Sequence, residues 1–245
     1  QLQDIPQPHH GPEHRARAAR IATAYPPAVD GIEWCHVSKG EFEYGESGER
    51  CTLEAFWIAK TPVTNAQYAR FVRETGYESP QYWQESSFSR EKVDHPVVGV
   101  NWYDAEMYCR WLSHRLGLEI GLPTQEEWEK AARGIDGRAY PWGNKPDERK
   151  CNTAQSGTGD TTPVGFYSPH GDSPYSCVDM SGNVWEWTAT EVHRGRPGFV
   201  GLRVTRGGSW NMAIDFARVT CRTEVLPYVR GSDFGFRLVR RPPRA

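Results

Sequence analysis

Apolar positions recur at helical spacing in three stretches of the chain. Thr64-Asn65-Ala66-Gln67 has the T-x-x-Q form of a capping box, Tyr68, Phe71 and Val72 follow on one face, and Gly76 closes the run. Asn101 can cap a second helix, whose Ala105, Tyr108, Cys109, Leu112 and Leu116 form one continuous stripe. A third, short helix begins with the capping box Thr124-Gln125-Glu126-Glu127, places Trp128, Ala131 and Ala132 on its apolar face, and exits at Gly134. Before these helices, residues 31–37, 40–45 and 52–59 read as strands broken by Gly and Ser, the start of a small antiparallel sheet. From Gly134 to Ala245 no helical stripe appears. Short apolar pieces alternate with Gly, Pro, Asp and Ser, which predicts irregular structure with scattered strands. Long ordered loops of that kind go with function or bound ions.

The pattern divides the chain into a tail, residues 1–28, and a domain, residues 29–245. The tail carries Pro, His9-His10 and a basic run but no stripe able to pack. A chain that begins at Gln1 rather than Met leaves room for an upstream domain. The 245 residues can bury a sizeable core. Ten Trp, 24 Gly and 18 Pro favour a loop-rich fold held by aromatic clusters. No stretch approaches the roughly 18 apolar residues of a membrane span, and the first residues lack the halves of a signal peptide, so a cytoplasmic chain is the expectation. A net charge of −2 gives the chain no general attraction to polyanions, so nucleic acid is not an expected partner. The chain is expected to be a monomer. Cysteines 35, 51, 109, 151, 177 and 221 show no C-x-x-C pair and no His at a zinc-finger offset, which leaves reduced, packed thiols.

A longer series of short signals runs in order along the domain. It includes Thr61-Pro62-Val63-Thr64-Asn65, His95-Pro96-Val97-Val98-Gly99-Val100-Asn101-Trp102, Leu122-Pro123-Thr124 and Tyr140-Pro141-Trp142-Gly143. It closes with Asp179-Met180-Ser181-Gly182-Asn183-Val184-Trp185-Glu186-Trp187, Arg206-Gly207-Gly208-Ser209-Trp210 and Gly235-Phe236-Arg237-Leu238-Val239. Over most of residues 31–240 the chain resembles the formylglycine-generating enzymes, or sulfatase-modifying factors. The resemblance implies an α+β fold of the C-type lectin-like kind, with little regular secondary structure and bound calcium. Family enzymes oxidise a sulfatase cysteine with copper and oxygen, and other branches use iron, act as parts of larger proteins, or have no known chemistry.

The enzymatic members carry a catalytic cysteine pair, spaced five apart, just after the Gly-Gly-Ser-aromatic motif. Those positions here are Met212 and Ala217. A thioether and a methyl group cannot supply two thiolates to copper(I), so no copper and no oxidase activity are expected. Histidines offer no iron site either: His9, His10 and His14 lie in the tail, and His36, His95, His114, His170 and His193 are scattered without an i, i+4 pair. Ser209 lacks the strand-turn-helix context of a nucleophile elbow and is expected to bond backbone in a turn.

Calcium is better supported. The resemblance implies one structural ion held by the side chains of Asp179 and Glu186 and the carbonyls of Gly182 and Val184, the oxygen mixture a hard cation prefers. It implies a second near Asn152 and Thr153, with Asp160 as a further candidate.

Between Trp210 and Gly235, where related chains are polar and rich in Asn, this chain has Val225, Leu226, Tyr228 and Val229. Exposed apolar side chains contribute burial energy when a partner covers them. An Asn codon altered at its adenines yields most of the unusual residues here, with Met212 and Glu224 outside that rule. The position and chemistry of the stretch resemble the variable proteins of diversity-generating retroelements, whose alternative is drift in a non-catalytic relative. The expected contact surface is Asn211, Met212, Ala213, Ile214, Phe216, Val225, Leu226, Tyr228, Val229, Gly231, Ser232 and Asp233, and the expected ligand a protein. Arg218, Arg222, Arg230 and Arg237 are expected to hold the loops through backbone oxygens. Two rival readings are an oxidoreductase of the family with altered metal chemistry and an accessory domain of a larger enzyme.

Overall fold

The computed structural model describes residues 31–84, 87–192 and 201–242. The tail, with His9, His10 and His14, and His193 lie outside the described residues. Strand β1 (Trp34–Val37) pairs antiparallel with β4 (Phe56–Ala59), and β2 (Gly40–Tyr44) pairs with β3 (Glu49–Leu53) as a separate ribbon. The expected strand over 52–59 is therefore two. Leu53 pairs with Gly40 whereas Phe56 pairs with Val37, so the chain changes sheets at residues 54–55.

The three helices begin where their caps predict. Helix α1 (Asn65–Thr75) and helix α2 (Trp102–Leu116) carry complete capping boxes from Thr64 and Asn101, and each ends at a left-handed glycine, Gly76 and Gly117. Their apolar stripes meet in an aromatic cluster: Tyr68 stacks on Tyr108 at 5.5 Å, with Phe71 and Phe236 edge-on to Tyr108. Short strand β5 (Ile120–Gly121) then leads into helix α3 (Gln125–Arg133).

Helix α3 departs from its pattern. Its polar residues Glu127, Glu129, Lys130 and Arg133 are buried along with Trp128, Ala131 and Ala132. Each buried charge has a partner, which is the condition for burying it. Lys130 Nζ donates to the carbonyls of Ser38 and Gly40 at 2.8 Å each, and Glu129 binds both Arg133 and Arg206. Glu127 pairs with Arg241 at 2.6 Å.

The remaining strands are β6 (Trp185–Val192), β7 (Leu202–Arg206), β8 (Arg222–Val225), β9 (Phe234–Gly235) and β10 (Val239–Arg240). They complete two four-stranded sheets, ordered β1-β4-β10-β5 and β8-β7-β6-β9. The closing strand β10 lies between β4 and β5, so the last turn of chain locks the first sheet. Between α3 and β6 the backbone is irregular, as predicted, with short turns and isolated bridges such as Asn152 with Gly182. Among the described residues no helix is long and apolar enough to cross a membrane. The described cysteines are free thiols, and Cys109 is on the buried face of α2.

Candidate ligand-binding face

Residues 207–235 form two arms joined at their base. Gly207 and Gly208 both adopt positive φ, and a Cβ on Gly208 would meet the Phe216 carbonyl at 2.8 Å, so only glycine admits this turn. The turn delivers Ser209, whose buried hydroxyl donates to the Asp233 carboxylate at 2.8 Å. Trp210 Nε1 donates to the Ser232 carbonyl at 3.3 Å. These bonds tie residues 209–210 to 232–233, and they correct the expectation that Ser209 bonds backbone.

The first arm, residues 211–217, ends in a 3-10 turn (Ile214–Ala217). Its backbone is fixed from the neighbouring loop: Ala154 N donates to Met212 O at 2.9 Å, and Ile214 N donates to Gln155 Oε1 at 3.0 Å. Asn211 and Phe216 are exposed, Met212, Ala213 and Ile214 half-buried. Ala217 is fully buried, and its carbonyl accepts from Ser181 Oγ. Ile214 also lines a groove of about 790 Å³ with Trp142, Lys145, Asp147 and Lys150.

The second arm, residues 226–233, is held against the start of α2. Trp102 N donates to Pro227 O at 3.0 Å, and Gly99 N donates to Gly231 O at 2.9 Å. Arg230 forms a two-pronged pair with Asp104, 2.9 and 3.0 Å. Tyr228 and Ser232 are exposed, while Leu226, Val229 and Gly231 are half-buried. Two expected contact residues are better described as scaffold. Val225 pairs with Arg203 across β8 and β7 and packs on the core, and Asp233 is bound by Ser209 and through its carbonyl by Trp185 N.

Two residues that the sequence pattern did not single out extend this face. Tyr103, 48% exposed, follows the Trp102 amide that bonds Pro227, and Tyr82, 49% exposed, covers Gly99 beside Gly231. Tyr103 stands outside the apolar stripe of α2, an aromatic residue where a helix facing water usually carries a polar one. Tyr82 gives no periodic signal.

The arginines divide differently from the expectation. Arg237 bonds the carbonyls of Ala59, Lys60, Val178 and Asp179, and Arg218 bonds that of Asp215. Arg222 instead donates to the Gln125 side chain, and Arg230 to carboxylates. A carboxylate is a stronger anchor than a carbonyl for a guanidinium, which explains the choice of Arg230.

The same arginine bears on the first calcium set. Both carboxylate oxygens of Glu186 are engaged by Arg237, at 2.6 and 2.7 Å, and Oε2 also accepts from Trp128 Nε1 at 2.7 Å. The Gly182 carbonyl accepts from Val184 N, and Asp179 Oδ2 from Gly165 N. Burial pushes the Asp179 carboxyl up to about 6. The guanidinium already supplies positive charge to Glu186, so calcium at Asp179, Gly182, Val184 and Glu186 would share that carboxylate with Arg237.

The second set gathers neutral oxygens. Ser156 Oγ lies 2.9 Å from Asn152 Oδ1 and 2.7 Å from Thr153 O, and Thr158 Oγ1 lies 2.6 Å from Asn152 Oδ1 and 3.1 Å from Asp160 O. Four close oxygen contacts thus share two hydroxyl protons, an oxygen-rich cluster of the kind calcium accepts. The Asp160 side chain points to Lys92 and Thr161 N.

The sulfatase-modifying factor enzyme 1-like domain model matches residues 25–242. The chain belongs to this family. Inactive C-alpha-formylglycine-generating enzyme 2 of Bos taurus is 32% identical over 263 residues, spanning 81% of this chain and 84% of that protein. The formylglycine-generating enzyme of Thermomonospora curvata is 30% identical over 272 residues, spanning 82% and 87%. The family thus includes relatives named as enzymes and relatives named inactive. Among solved structures, Treponema denticola variable protein 1 superposes with a TM-score of 0.71 at 25% identity, covering 86% of this chain and 95% of that one. PvdO from Pseudomonas aeruginosa gives 0.73 at 25% identity, covering 87% and 95%. The family's fold, of the C-type lectin-like kind, is thereby the fold of this chain.

Proposed function

We propose that this chain is a non-enzymatic binding domain that presents the two arms, residues 211–216 and 226–232, to a protein ligand. The observation that carries the reading is the division of labour within the arms. Their backbones are fixed by backbone donors, glycine turns and the Arg230–Asp104 pair, whereas Asn211, Phe216, Tyr228 and Ser232 are exposed. Such a frame tolerates exchange of its outward side chains, because their identity contributes little to the fold. Aromatic residues near the middle of a patch commonly dominate binding, and Tyr82 and Tyr103 would widen that patch around Tyr228.

The chemistry at the oxidase positions favours this reading over an oxidoreductase. Ala217 is a buried methyl group and Met212 a half-buried thioether, so neither offers a thiol to a substrate cysteine. Addition of copper, oxygen and a cysteine-containing sulfatase peptide is expected to give no aldehyde product. Turnover would return the chain to the enzymes of its family.

The likeness to a protein named as a variable protein supports diversification as the origin of the arm residues. Sequencing the gene and its neighbourhood across isolates tests this. The expected result is a reverse-transcriptase gene nearby, with differences concentrated at adenine-derived positions in the codons for the outward residues of 211–232. Invariant codons and no near copy would remove the diversification. Calcium is proposed at the second set, held by Asn152 Oδ1, the Thr153 carbonyl and oxygens of the 156–160 turn. Bound there it would draw together oxygens that otherwise share two hydroxyl protons and stiffen the loop that supports the first arm. A chelator is then expected to lower the melting temperature, and Asn152→Ala to abolish that dependence.

A further inference from the structure

Away from the arms, two cysteines far apart in sequence meet beside a pocket. Cys35 stands in β1 and Cys177 in the turn 173–177, and both are buried in the same apolar cluster. The turn is closed by Ser176 N to Ser173 O at 2.8 Å and Ser173 N to Cys177 O at 2.9 Å, with Cys177 N donating to Ser173 Oγ at 3.2 Å. It is hooked to the first sheet by Val178 N to Lys60 O at 2.8 Å, and Lys60 N in turn bonds Glu33 O at 2.9 Å, two residues from Cys35. The shared cluster and the Val178–Lys60–Glu33 backbone bonds bring the two thiols together, close enough for each to influence the other's ionisation. Cys35 also lines a pocket of about 470 Å³ with Glu33, His36, Lys60, Pro174 and Tyr175, whereas Cys177 is sealed behind it.

We infer that Cys35 and Cys177 form a reversible dithiol–disulfide site, with Cys35 the sulfur that meets small disulfides in the pocket and Cys177 the sulfur that resolves them. The electrostatics agree with the placement. The neighbouring Cys177 and the nearby charges of Arg237 and Lys60 hold the Cys35 thiol below its usual range, although burial opposes them. Cys51, Cys109, Cys151 and Cys221 are all raised, chiefly by burial.

The oxidant is a low-molecular-weight disulfide of the glutathione class. Cys35 Sγ, as thiolate, attacks one sulfur of that disulfide, a mixed disulfide forms and one small thiolate leaves. Cys177 Sγ then attacks Cys35 Sγ and its proton goes to the second departing thiolate. Two electrons pass from the protein pair to the small disulfide, which is released as two thiols. The new bond would tie β1 to the 173–177 turn and join segments distant in the chain, which stabilises the folded state by constraining the unfolded one.

The test is incubation of the folded, full chain in mixtures of oxidised and reduced glutathione, followed by acid quench and peptide mapping. A peptide linked through Cys35 and Cys177 is expected to grow with the oxidised fraction and to vanish on reduction. In Cys177→Ser the glutathione adduct is expected to persist on Cys35, and in Cys35→Ser Cys177 is expected to stay unmodified. Circular dichroism reports whether each variant is folded, and the wild-type map decides the matter if either is not. Cys35 and Cys177 recovered as thiols, as separate adducts, or linked to other cysteines from folded wild-type protein would overturn the inference.

Discussion

The hub beneath helix α3 and the paired arms are built on opposite terms. In the hub, Arg237, Glu186, Trp128, Glu129 and Arg206 are almost wholly buried, and each charge meets its counterpart there, Arg237 on Glu186 and Arg206 on Glu129. In the arms the backbone carries the bonds and the side chains at Asn211, Phe216, Tyr228 and Ser232 meet water. A buried charge is tolerated only with its partner, so hub residues cannot change singly, whereas an exposed side chain on a fixed backbone can. One fold thus holds an unchangeable interior and an exchangeable rim.

Breaking the hub should produce the largest effect. Arg237→Leu leaves Glu186 buried without its countercharge, and a loss of about 3–5 kcal/mol is expected in urea unfolding. A loss under ~1 kcal/mol would mean that Glu186 finds another cation, calcium included.

A gain comes next. Burial pushes the folded-state carboxyl of Asp179 up to about 6 from its ordinary 3.8. An acid raised on folding is cost-free while protonated in both states, below about pH 4, and its cost grows as pH rises through about 6. Asp179→Asn should therefore be more stable than wild type by about 2–3 kcal/mol near pH 8, with the difference gone near pH 4. Its disappearance near pH 8 on adding calcium would restore Asp179 as a ligand.

The hinge between the two regions should respond less. Arg230 is a quarter exposed and spans to Asp104, so Arg230→Ala is expected to cost about 1–2 kcal/mol and to raise amide exchange in residues 226–232. Exchange unchanged there would show that the backbone bonds of Pro227 and Gly231 suffice. Smallest is the rim itself. Phe216→Ser and Tyr228→Ser should each shift stability by less than about 0.5 kcal/mol, and a collapse on either would make that residue part of the core.

Much of this architecture can be read along the chain. Thr64, Asn101 and Thr124 announce the three helix starts, since a capping box is a local device whose donors and acceptors lie within four residues. The ordered motifs indicate the family, and the proposal of a non-enzymatic domain starts from Met212 and Ala217 in the same reading. The burial of Glu129, Lys130 and Arg133 was not legible, because their partners Arg206, Ser38, Gly40 and Glu43 come from distant strands and turns. Nor was the fate of Glu186. Its spacing from Asp179 suits calcium equally well until Arg237, at the far end of the chain, is seen to occupy its oxygens.

By itself the sequence determined what short-range chemistry decides: caps, helical stripes, glycine turns and the family. The tertiary structure alone decided which charge meets which charge, which of the arm residues point to water, and that Cys35 lies against Cys177. These are long-range pairings. They depend on where the chain returns in space, and no local pattern of residues encodes that distance.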